Sequence, residues 1–189
     1  MLAEAEGDAG DEAALALVEQ LRLVQPAEAD ALLGRLRWRQ GRFPEATDAL
    51  VAAFERYRSD PWPLPAIMGR AMAVAIDVAD KHAPSAARLY AALGTRFAVS
   101  GLEHQRLRAR VKMLQAVGFE QSCAQAIAPF EPDVPWEREF LALRLRCYEA
   151  ARHPLAARAR ADFDDFLARE PTAFGRGLVE ARAGTRPPG

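Results

Sequence analysis

Apolar residues recur every three or four positions along nearly the whole chain, and glycine and proline cut this pattern into segments. The period is that of helices buried on one face. No run alternates apolar and polar residues as a half-buried strand would. A first helix, capped by Asp11, carries Leu17, Val18, Leu21 and Val24 on one side. Pro26 opens a second helix to Gln40 with Leu32, Leu33, Leu36 and Trp38 as its apolar positions, and Gly41 stops it. Proline suits a first helical turn and glycine a helix end. Pro44 restarts the chain, and Ala46, Leu50, Val51, Ala53, Phe54 and Tyr57 form the stripe of a helix running to Asp60-Pro61. The same punctuation predicts helices over 66–80, from Pro84 past Leu93, over 102–117, 120–128 and 136–151, and from Pro154 to Arg169. Thr172 can cap a short last helix to about Ala183.

The turns inside successive pairs align as Phe43-Pro44-Glu45-Ala46, Ala83-Pro84-Ser85-Ala86, Phe119-Glu120-Gln121-Ser122 and His153-Pro154-Leu155-Ala156, at spacings of 40, 36 and 34 residues. Such spacings belong to repeated helix pairs, in which neighbours supply the core that no pair can bury alone. Within the first pair, Leu33-Gly34, Gly41, Phe43, Ala46, Leu50 and Ala53 stand at the spacing of large and small residues in a tetratricopeptide repeat. Residues 31–61 resemble that family. The later pairs keep the turn but place Val74, Arg110 and Arg144 where Gly34 stands. The resemblance implies an all-α fold: a right-handed α-α superhelix of about four antiparallel pairs with flanking helices, the first helix of each pair lining a concave binding surface. A single domain is expected over residues 11–183, between a disordered acidic segment 1–10 and a disordered end 184–189. A second set of phrases, RSDPWPLPAIMGRAM, FAVSGLEHQRL, PDVPWEREFLALRLRCY and ARADFDDFLAREP, is similar to helical-repeat tails that follow spermidine-synthase-like modules in some bacterial membrane proteins. Nothing in the chain itself looks like the catalytic domain of such a protein, because no strand leads into a glycine-rich turn.

Charge changes the picture by exclusion. The 25 lysines and arginines are balanced by 26 aspartates and glutamates. That removes the basic excess with which a protein displaces counterions from nucleic acid. No apolar run approaches a membrane span. The opening residues carry Glu4, Glu6, Asp8, Asp11 and Glu12 where a secretory signal would be basic. A cytoplasmic bacterial protein that does not insert into membrane is the expectation. Cys123 and Cys147 lack any CxxC spacing and read as buried free thiols.

Candidate chemistry is sparse. His82, His104 and His153 stand alone, without ligand partners at helical spacing, so no metal and no cofactor is expected. Asp162, Asp164 and Asp165 form the densest acid cluster, and read as the solvated side of a helix that buries Phe163, Phe166 and Leu167. Trp62 and Trp136 lie in proline-rich connectors, where packing between pairs is the expected role. The arginines suggest binding. Arg35 and Arg39 share a helical face beside Trp38, as do Arg106 and Arg110, and separately Arg108 and Lys112. All lie on first helices of their pairs, where guanidinium groups would meet a partner's carboxylates, or else bridge to nearby acids such as Glu103. The candidate partner site is therefore Arg35, Trp38, Arg39, Arg106 and Arg110. The expected function is a non-catalytic scaffold for association with a protein, a peptide or another domain of a larger chain. An alternative is the accessory C-terminal portion of a spermidine-synthase-like (aminopropyltransferase-like) protein. A third is a small helical enzyme whose acids and histidines meet only in three dimensions.

Overall fold

Proline and glycine set the helix limits close to where the pattern predicts them. The computed structural model describes residues 12–169, with no strand among the described residues. The helices are α1 (Ala14–Arg22), α2 (Pro26–Arg39), α3 (Phe43–Tyr57), α4 (Pro65–Lys81), α5 (Ala83–Ala92), α6 (Glu103–Lys112), α7 (Leu114–Val117), α8 (Phe119–Ile127), α9 (Arg138–Ala150) and α10 (Ala156–Arg169). Short 3-10 turns cover Ser100–Leu102 and Ala128–Phe130. The helix expected over 102–117 is broken at Met113, whose N–H is shared between the carbonyls of Ala109 and Arg110. Within the described residues the chain divides into two compact units, 12–131 and 132–169. The expectations for 1–10, for the helix after Thr172 and for 184–189 lie outside the described residues.

In the first unit most helices pack on a chain neighbour and on the next helix but one. α2 meets α1, α3 and α4, while α5 meets α3, α4 and α7. This explains why α2 is barely amphipathic. Ala27 and Ala31 join the main core with Leu50, Phe54, Met68 and Leu89, while Ala29 and Leu32 face a smaller cluster with Val18 of α1. A helix covered on several sides has no solvent face to keep polar.

The first pair closes through its small residues. A Cβ on Gly34 would lie 2.7 Å from Leu50 Cγ, and Ala46 is fully buried beneath the same contact. The α2–α3 turn ends the first helix through Gly41 at φ +72°, with the Arg42 N–H donating to Arg37 O at 2.9 Å. Glycine reaches that left-handed conformation without a Cβ penalty. In the second unit, α9 packs on α10 across an equivalent turn, with Arg152 at φ 49° and the His153 N–H donating to Tyr148 O at 2.8 Å.

Successive turns also touch. The Phe43 ring stacks on His82 with centroids 5.9 Å apart, and Thr47 Oγ1 lies 2.5 Å from Ser85 Oγ, itself 2.8 Å from His82 Nδ1. The recurring turn residues are thus contacts between the first two pairs, and their hydroxyls satisfy one another in a buried setting.

Candidate functional site

The predicted arginine sites separate into two kinds. On α2, Trp38 is half-buried against the main core, and the Arg39 guanidinium lies 4.5 Å from its ring centroid. Lys81, the last residue of α4, brings its ammonium to 5.7 Å from the same ring. Cations from the first helices of two consecutive pairs therefore meet over one aromatic face. Arg39 and Lys81 are exposed, whereas Arg35 is half-buried.

Arg106 and Arg110, expected on an open groove, are turned inward. Arg106 is 3% exposed. It forms a fork with Glu103, Nε to Oε2 and Nη2 to Oε1 both at 2.8 Å, and its Nη1 donates to the carbonyl of Leu93. Arg58 donates to Ala92 O at 3.0 Å. Two guanidiniums thus satisfy carbonyls at the end of α5 that have no partner within the helix, where a positive charge also opposes the helix dipole. Arg110 stacks on Tyr90 at 4.3 Å. Both arginines hold helices together and leave the candidate surface.

Hydrogen bonds from Arg106, then from Arg96, hold the Glu103 carboxyl below its ordinary value of 4.5. A carboxylate depressed in the folded state adds stability above the unfolded value, and loses it as pH falls through the folded one. The urea midpoint of the wild type should therefore exceed that of Glu103→Gln at pH 7, and the gap should narrow as the pH falls below 4.5. A gap independent of pH would mean that the ionised fork contributes nothing.

Two acids that the sequence did not single out organise the connector between the first pairs. Asp30, 4% exposed on α2, accepts from Arg22 of α1 and, through Oδ2 at 2.7 Å, from Arg56 Nε of α3. Glu28, 1% exposed, accepts the Leu64 N–H at 2.8 Å, so a side chain of α2 caps the start of α4. Residue type alone gave no signal, because acids near a helix start usually face solvent. Burial beside Glu28, and the charges of Asp60 and Asp30, push the Tyr57 phenol well above its ordinary range.

Trp62 sits on this connector and is 83% exposed, contrary to its expected packing role, whereas Trp136 is 49% exposed and meets the Phe166 ring edge-on at 6.3 Å. Leu23, Val24 and Leu64 are the other large exposed hydrophobics of the first unit. Two open grooves of about 400 and 390 Å³ share Trp62 as a wall. A tryptophan left in water by a fold that buries other aromatics is the surface feature most in need of a partner.

The remaining candidates serve structure. His153 stacks on Tyr148 at 4.2 Å, and its Nδ1 accepts from the Leu155 N–H. Asp162 pairs with Arg144, which is fully buried. Neither Cys123 nor Cys147 is a free thiol, which corrects the free-thiol expectation. Among the described residues no three His, Cys, Asp or Glu side chains gather as for a metal ion, and no helix is long and apolar enough to cross a membrane.

Comparison of the chain with protein-family models, with curated proteins and with solved structures returned no match. The resemblance of residues 31–61 to tetratricopeptide repeats rests on the residues themselves.

Proposed function

We propose that the chain is a non-catalytic scaffold of tetratricopeptide-like helix pairs that binds a protein partner. The observation that carries this reading is the exposed Trp62, set with Leu23, Val24 and Leu64 on the connectors at the ends of the first pairs. Packing of α2 on α4, of α3 on α5 and of α5 on α7 supports stacked pairs of the kind that would build a right-handed superhelix. The Arg39–Trp38–Lys81 stack, with Arg35 on the same helix, is the second surface on which such a partner would find cations.

A photo-crosslinking amino acid placed at Trp62, and separately at Arg39, tests this in cells of the source organism. Ultraviolet capture of one defined protein at position 62 is expected. Capture at neither position would overturn the scaffold reading.

A further inference from the structure

Trp62 is held rigidly by groups that do not cover its ring. Its own N–H donates to Asp60 Oδ1 at 2.9 Å, and two residues later the Leu64 N–H donates to Glu28. Pro61, Pro63 and Pro65 fix φ on either side of it. Little backbone freedom remains to be lost here when a ligand arrives, and preorganisation of this kind favours tight recognition.

The two grooves beside the ring differ in chemistry. One is walled by Pro61, Pro63, Pro65, Met68, Val99 and Leu102, and is apolar. The other holds Glu28, Ser59, Asp60 and Arg56 below Val24. Arg56 is tethered to Asp30, whose second oxygen takes Arg22. Glu28 and Asp60 each accept a backbone N–H and have no cationic partner among the described residues. The charged groups that line this groove are Glu28, Asp60 and Arg56, so it keeps one negative charge in excess beside an open aromatic face. A carboxylate next to the face of a tryptophan suits an ammonium or a guanidinium.

We propose that Trp62 centres a docking site for an extended peptide, which sets a Lys or Arg side chain on the Asp60 side of the ring and an apolar side chain in the proline-walled groove. The assignment rests on the scaffold reading above and adds the chemistry of the partner's segment. Asp60 makes the direct contact with the cation, and buried Glu28 adds its field. An acidic segment is refused on the same grounds, since it would bring like charge to two carboxylates that have no counter-ion.

The test uses the full chain and three acetylated, amidated synthetic peptides: Leu-Lys-Leu-Lys-Leu-Lys, Leu-Glu-Leu-Glu-Leu-Glu and Ser-Lys-Ser-Lys-Ser-Lys. The readout is the indole N–H resonance of Trp62, assigned by its loss in Trp62→Phe. The leucine-lysine peptide should shift this resonance, with affinity at least about tenfold above that of either other peptide. Asp60→Asn keeps the acceptor for the Trp62 N–H and should weaken binding about tenfold. Glu55→Gln, an exposed acid outside both grooves, should leave binding unchanged. Equal affinity for the glutamate peptide, or full affinity in Asp60→Asn, would overturn the assignment. Cross-linked capture at position 62 through a segment lacking Lys and Arg would overturn it too, while leaving the scaffold reading in place.

Discussion

Asp162→Ala should cost the α9–α10 pair about 3 kcal/mol, the order expected when one partner of a buried ion pair is removed. Arg144 is the largest fully buried side chain, and its Nη1 lies 2.6 Å from Asp162 Oδ2. Without the carboxylate, that guanidinium stays in the interior short of the charged partner at its Nη1. The reverse change is cheaper. Asp162 keeps 23% of its side-chain surface in water and has Arg158 at 3.9 Å, so Arg144→Met leaves an acid that can resolvate. Methionine meanwhile fills much of the space. The double variant should recover most of the loss, because apolar replacement of a whole buried pair is often neutral. Urea melts of the full chain, followed by circular dichroism, measure all three. Equal costs for the two single variants would show that Arg144 is not the desolvated partner.

That pair also marks where the sequence stops being legible. Helix limits could be read because their signals are local: Pro26, Pro65 and Pro84 fall in first turns, and Gly41 ends α2. The small residues of the first pair were legible for the same reason, since Gly34, Ala46 and Leu50 lie within one hairpin of helices. The arginines were not. Arg106, Arg110 and Arg144 look like solvated surface until their partners are known, and Leu93 and Asp162 stand 13 and 18 residues away. Trp62 failed in the opposite sense. Its size argues for burial, but the Trp62 N–H donates to Asp60 and the Leu64 N–H to Glu28, which fixes the connector's backbone and leaves the ring outside. Long-range polar pairing sets both outcomes, and neither periodicity nor residue type encodes it.

Gly34→Leu should destabilise the first unit by about 3 kcal/mol, the upper end of what overpacking a tight helix contact costs. Even a single carbon is too much here. A Cβ would lie 2.7 Å from Leu50 Cγ and 2.9 Å from Leu50 Cδ2, with the Ala46 carbonyl oxygen at 3.3 Å. Leu50 cannot retreat easily, because it is fully buried in the core that also holds Phe54, Met68 and Leu89. Helix propensity pulls the other way, since any side chain stiffens the unfolded chain by up to about 1 kcal/mol relative to glycine. The two effects can be separated. Gly34→Ala gains most of the propensity term and meets only the first clash, so it should cost less than Gly34→Leu. Adding Leu50→Ala to Gly34→Leu opens space opposite the new side chain and should restore more than half of the loss. Ala46→Leu, from the facing helix, should cost about 1–3 kcal/mol through the same contact. Urea midpoints of the four variants against the wild type decide the matter. If Gly34→Leu is no worse than Gly34→Ala, or if Leu50→Ala gives no relief, α2 and α3 do not meet at Gly34 and the tetratricopeptide-like register of the first pair is lost.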